Sequence, residues 1–211
     1  MASKTLCVLG DANAGKKTLT WHLVFTCGAS LPEIAPIEKS RICDYRGIAT
    51  LYRQKGRPVS FYGPSAQYTI TGDHDYPPHL EQTNHSTEDI PGIADIALWA
   101  VDASADDYGA RSSQSLASLL SSGKLRVEEQ LIIVATKMDL ANWSETVFAQ
   151  VAHSFTKIKL AHFKISIVPV SGLHGDNLVE KSDKAAHLQP AGKIEEGGLA
   201  VLGARPLMSL L

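Results

Sequence analysis

The chain has 211 residues, 44% of them hydrophobic, with 20 Lys and Arg against 22 Asp and Glu and a formal net charge of -2. This length suffices for one domain with a proper core, while the near-neutral balance gives no electrostatic case for nucleic acid. No apolar stretch approaches the roughly 20 residues that span a bilayer, the N-terminus carries no signal-peptide pattern, and Cys7, Cys27 and Cys43 make no disulfide framework, so the expected location is cytoplasmic.

The first element is an apolar run over residues 5–9, read as a strand, which leads directly into Gly10, Asp11, Ala12, Asn13, Ala14, Gly15, Lys16 and Lys17. In the pattern G-x-x-x-x-G-K-[ST] the glycines let backbone N–H groups close around phosphates, the Lys reaches the β/γ-phosphates, and the final hydroxyl holds Mg²⁺. Here Lys17 stands where that hydroxyl is expected, with Thr18 one residue later. The loop therefore points to a nucleotide and leaves its magnesium open. Lys17 has two readings: a fixed positive charge near the β-phosphate, or a solvated side chain. After it, Leu19, Leu23 and Val24 share one stripe of a helix that Gly28 ends.

Residues 56–64 and 72–78 read as irregular loops, and residues 67–71 between them as a strand. His74, His79 and His85 stand near Asp73 and Asp75, but their spacing fits no zinc pattern. Residues 98–101 read as a buried strand, and Leu116, Leu119 and Leu120 as the inner face of a helix.

Residues 131–135 form a continuous apolar run, as in a strand buried on both faces, and end in Thr136-Lys137-Met138-Asp139. This tetrapeptide fits [N/T]-K-x-D, in which the Asp carboxylate accepts from the guanine ring N–H and exocyclic amine while the Lys stem lies along the base. Asn142, with Glu145 three residues on, is expected to cap a helix whose inner face carries Trp143, Val147, Phe148, Val151 and Phe155. A third apolar run, residues 165–170, ends in Ser171-Gly172-Leu173, where backbone N–H groups and the Ser can meet the guanine carbonyl oxygen. Three such segments at the carboxyl ends of predicted strands, in this order, match the edge at which open α/β sheets bind ligands.

With these motifs the chain resembles the translational GTPases, the group of elongation factor one alpha with its release-factor and ribosome-rescue relatives. The residues that carry the likeness are Val8 to Gly28, Ile37-Glu38-Lys39, Arg46-Gly47-Ile48, Ala94-Asp95-Ile96-Ala97, Lys137-Met138-Asp139-Leu140, Asn142-Trp143-Ser144 and the stretch from Val170 to Leu178. The resemblance implies an α/β fold, a P-loop GTPase three-layer sandwich with a mostly parallel central sheet, over residues 1–182. It implies GTP or GDP as ligand, GTP hydrolysis as activity and the translation machinery as partner.

The family's switch Arg-Gly-Ile-Thr is Arg46-Gly47-Ile48-Ala49 here, without the Thr that closes over Mg²⁺. Its second switch, Asp-x-Pro-Gly-His, has two matches. Asp75-Tyr76-Pro77-Pro78-His79 keeps the Asp behind the metal and the His that orients water, but Pro78 has no N–H for the γ-phosphate. Asp89-Ile90-Pro91-Gly92 keeps the Gly and loses the His; chain length favours the first. By resemblance, then, His79 is the catalytic residue, and Thr18 and Asp75 are the metal ligands. Each lost contact costs on the order of a hundredfold or more in rate, so hydrolysis is expected to be impaired. The alternatives are a pseudo-enzyme acting as an interaction module and a fragment without activity. Residues 183–211, Gly-rich through Gly203, resemble nothing in the family and are expected to be a disordered tail or a truncated gene end.

Overall fold

The computed structural model describes residues 2–28, 52, 54–56, 58–71, 93–158, 163–188 and 199–211. The elements in chain order are β1 (Ala2–Gly10), α1 (Lys16–Cys27), β2 (Ser60–Tyr62), β3 (Ala66–Thr71), β4 (Ile93–Asp102), α2 (Ala110–Ser121), β5 (Arg126–Thr136), α3 (Glu145–Phe155), β6 (Lys164–Pro169) and β7 (Leu199–Val201). They form one seven-stranded sheet in the order β2-β3-β1-β4-β5-β6-β7. Every pairing is parallel except that of β2 with β3.

Three layers follow from the two-residue period of the strands. Leu6 and Val8 of β1, with Leu98 of β4 and Ile132 of β5, face one side and meet Leu19 and Leu23 of α1. Cys7, Leu9, Trp99 and Ile133 face the other, where Leu116 of α2 and Phe148, Val151 and Phe155 of α3 cover them. Because β4 and β5 are covered on both faces, their sequences run apolar without alternation. The expected α/β sandwich with a mostly parallel sheet is thus the observed fold.

Four local expectations are corrected. The stretch 56–64 is not all irregular, since β2 lies within it as an antiparallel edge strand. The cap of α3 is Ser144, whose Oγ accepts from Val147 N at 3.4 Å, whereas Asn142 and Trp143 sit in the turn before it with φ of +50° each. Trp143 is nonetheless a core residue, as expected.

The strand over 98–101 is longer than expected: β4 begins at Ile93, directly after Gly92. The tail, expected to be disordered, supplies β7, paired with β6 from Ile165↔Leu199 to Ile167↔Val201, and a short 3-10 turn over Leu207–Leu210. Its order has a long-range cause: buried Asn177 donates from Nδ2 to the carbonyls of Pro169 (2.9 Å), Arg205 (3.0 Å) and Gly203 (3.4 Å). Leu207 and Met208 then pack into the core layer that α1 covers.

Candidate nucleotide site

The carboxyl ends of β1, β5 and β6 carry the three motifs, and direct contacts tie them together. Gly10 ends β1 with φ +135°, and a Cβ there would stand 2.2 Å from Ala100 O of the neighbouring strand, so only glycine lets the loop leave the sheet at this point. The chain then turns through Asp11, Ala12 and Asn13 (φ +61°), with Ala14 N donating to Asp11 O at 3.2 Å. Gly15 in the left-handed region (φ +80°) starts α1, and no side chain caps that end. A helix start without a side-chain acceptor leaves N–H groups directed at an anion.

Lys16 closes the loop on itself: its Nζ donates to Gly10 O and Asp11 O at 2.7 Å each. The ammonium thus stands at the loop's own centre, where an anion would meet it. Lys17 is exposed on the first helical turn and Thr18 half-buried. Among the described residues, the position after Lys16 therefore presents an ammonium, which repels a divalent cation, in place of an oxygen ligand. Lys17 does not fit the ion; Thr18, the described half of the expected magnesium set, is half-buried one residue along the helix, and no step is derived through the metal. The other half, Asp75, lies outside the described residues, as do His79, the competing Asp89 segment, the 46–49 switch and the 74, 79 and 85 histidines. Among the described residues no group of three or more His, Cys, Asp or Glu is placed to hold a metal.

The β5 motif divides into distinct jobs. Thr136, expected to face the nucleotide, is buried, and its Oγ1 lies 2.7 Å from Ala14 O and 2.8 Å from Val101 O. The hydroxyl is thus spent on joining β5 to the phosphate loop and to β4. Lys137 (φ +57°) turns its Nζ to Asp102 Oδ2 at 2.5 Å. Burial works against the Asp102 carboxylate, but the hydrogen bonds from Lys137 and Ser104 outweigh it and hold its carboxyl below the usual range. Met138 anchors the turn, buried and with its N donating to Val170 O at 3.2 Å. Asp139 Oδ2 lies 3.9 Å from His174 Nε2, which sets the β5 and β6 motifs side by side.

In the β6 motif, Ser171 is buried and its Oγ accepts from His174 N at 3.2 Å. Gly172 rides on α1, since a Cβ there would stand 3.4 Å from Leu19 N. Leu173 is 68% exposed. Two contributors escaped the sequence reading. Asp102 was signalled only by its place at the end of the 98–101 strand. His22, read as an ordinary helix position, donates to Gly172 O.

The geometry agrees with what the chain resembles. Elongation factor 1-alpha of Serendipita indica is 27% identical over 197 residues, covering 83% of this chain and 42% of that protein. The chain is a relative of the translation-factor-type GTPases. No protein-family model matches it. Among solved structures, Sup35 complexed with GMPPNP superimposes with a TM-score of 0.60 at 17% identity, over 99% of this chain and 44% of that one. The Saccharomyces cerevisiae Ski7 GTPase-like domain bound to GTP does so with a TM-score of 0.59 at 19% identity, over 99% and 48%. At such identities these two likenesses bear on the fold alone. The chain spans less than half the length of each of these three proteins.

Proposed function

We propose that this GTPase-family domain binds GTP and GDP at the carboxyl edge of its sheet and that its GTP hydrolysis is slow. The contact that carries the reading is the Thr136 hydroxyl on Ala14 O, which joins the strand of the base motif to the phosphate loop. It sets the two halves of a nucleotide site in fixed relation, so that one ligand can bridge them. In this reading the loop from Gly10 to Gly15, with Lys16, Lys17 and Thr18, holds the phosphates. Lys137 and Asp139 read the base, and the backbone of Ser171, Gly172 and Leu173 receives its carbonyl. On nucleotide binding Lys16 exchanges two carbonyl partners for phosphate oxygens, a gain in charge complementarity at the same place.

Slow turnover is supported by the ammonium of Lys17 at the position of a metal-binding hydroxyl. His79 orients water and Asp75 stands behind a metal by resemblance. Partnership with the translation machinery rests on the same resemblance, and a cytoplasmic location on the three cysteines without a disulfide framework.

Lys17 also supports a second reading, a nucleotide-binding pseudo-enzyme whose surface is an interaction module. Thermal denaturation decides on the ligand: a molecule that binds only the native state raises the melting temperature. GTP and GDP at about a hundredfold above Kd are expected to raise it by several degrees, about 2.7 kcal/mol of linkage, and ATP not at all. Equal effects of ATP and GTP would refute the guanine assignment. Single-turnover hydrolysis then separates a slow enzyme from a pseudo-enzyme.

A further inference from the structure

Helix α1 carries the phosphate loop at its start and reaches the base-side loop less than two turns later. His22 Nδ1 lies 3.0 Å from Gly172 O. A carbonyl only accepts, so this nitrogen bears the ring proton and donates. The other edge of the ring faces Gly175, where a Cβ would stand 2.3 Å from Nε2. Trp21 meets the ring edge-on, with centroids 5.4 Å apart, and is itself stacked on Phe25 at 4.9 Å. Burial lowers the imidazole's proton affinity, with the Gly172 bond acting in the opposite sense.

The loop that His22 grips behaves as one piece. Gly175 N donates to Ser171 O at 2.9 Å and His174 N to Ser171 Oγ at 3.2 Å. Holding Gly172 and Gly175 therefore holds the whole turn from 171 to 175. Asp139, by contrast, lies three residues past the end of β5, in a turn anchored by Met138 N on Val170 O at 3.2 Å, and among the described residues it meets the 171–175 turn only through the 3.9 Å approach of His174 Nε2.

We propose that His22 is a positioning residue for base recognition: by tying Gly172 O to α1 it sets where the N–H groups of the 171–173 loop meet position 6 of a purine. This rests on the guanine reading above. The same helix starts at the phosphate loop, so one rigid element fixes both the phosphate end and the carbonyl end of the ligand. Loss of the donor leaves Gly172 O to water and lets the turn drift, which weakens contact at position 6 and spares the contacts of Asp139 with the ring N–H and amine.

The test uses the whole chain with His22→Leu, which fills the space without a donor, and His22→Asn, whose amide donates near the Nδ1 position. Affinities for GDP and 6-thio-GDP are measured by calorimetry. The thio analogue keeps the ring N–H and amine but offers sulfur, a weaker acceptor, at position 6. The unmodified chain is expected to prefer GDP by about tenfold, the worth of one ordinary hydrogen bond. His22→Leu is expected to lose about tenfold for GDP and little for the analogue, so that the preference collapses, and His22→Asn to regain most of it. A general loosening of the fold would lower both affinities together. A leucine variant that keeps the preference, or an asparagine variant that regains none, overturns the proposal. Should the leucine variant fail to fold, His22→Ala, which likewise lacks the donor, carries the same comparison. If the unmodified chain binds neither nucleotide, the guanine reading falls; if it binds both equally, that reading stands and only the role of His22 falls.

Discussion

Lys137 Nζ lies 2.5 Å from Asp102 Oδ2, so the lysine of the base motif is held by a carboxylate at the end of the adjacent strand. The two residues leave β5 and β4 at nearly the same level, since Asp102 is in register with Thr136. A long flexible side chain is thereby oriented before any ligand arrives, which lowers the entropy cost of placing its stem along a base.

Replacing the carboxylate tests this orientation. Asp102→Asn is expected to weaken GDP binding about threefold and to cost about 0.5–1 kcal/mol of stability, a modest figure because both side chains are partly exposed to water. The stability term has a definite pH dependence. The folded Asp102 carboxyl lies below its ordinary value, so its contribution is complete above about pH 4 and is lost as pH falls through the folded value. Denaturant titrations of the two proteins should differ at pH 7, and the gap should narrow as pH falls below about 4. A gap of the same size at pH 7 and pH 3 would remove the ion pair from the account.

Asp139 makes a second, chemical prediction. In the guanine reading its carboxylate accepts two N–H groups of the base, whereas an amide offers one donor and one acceptor. Asp139→Asn should weaken GTP and GDP by a hundredfold or more, about 3 kcal/mol for a lost charged double contact, and admit xanthine nucleotides, whose exocyclic oxygen takes the new donor. Unchanged GDP affinity would show that this turn is not the base site.

How far the sequence foretold the molecule varies with the range of the forces involved. β1, β5 and β6 were legible because a strand buried on both faces writes its burial into an unbroken apolar run. The turns after them were legible because each motif is contiguous. The roles within the β5 motif were not: nothing local distinguishes a Thr that faces a ligand from one whose hydroxyl, like that of Thr136, bonds to Ala14 O of the opposite loop. The tail misled for the same reason. Leu199–Val201 is too short to announce a strand, and it becomes one only because β6 presents a free edge and Asn177 gathers three carbonyls, two of them from the tail. The α3 cap moved from Asn142 to Ser144 because the preceding turn puts Asn142 and Trp143 at positive φ, a tertiary choice that spacing does not encode.

Lys16 is bonded to the carbonyls of Gly10 and Asp11, so its removal acts on both the empty and the filled site. Lys16→Ala should cost about 1–3 kcal/mol of stability through the two uncapped carbonyls. It should also cost about 2–3 kcal/mol of GTP affinity, as loss of a charge-assisted contact does. Parallel melting and calorimetric measurements separate the two. A variant that loses stability but binds GTP normally would make this lysine a strut of the loop and move the phosphates elsewhere.

Lys17 carries the prediction on metal. By resemblance its exposed ammonium stands where a Mg²⁺-binding hydroxyl is expected, and Ala49, outside the described residues, stands where the resemblance places a second. GDP affinity is therefore expected to change less than about threefold on chelation of Mg²⁺, because a fixed positive charge offsets the phosphates without the ion. Lys17→Ser should restore an oxygen ligand and raise the Mg²⁺ dependence, and adding Ala49→Thr should raise it further. Turnover should rise less than affinity, since Pro78 still offers no N–H to the γ-phosphate. Calorimetry with and without chelator, beside single-turnover hydrolysis, reads both effects. Strong Mg²⁺ dependence and brisk hydrolysis in the unmodified chain would mean that half-buried Thr18, one residue along the helix, swings in as the ligand and that Lys17 has no part in the site.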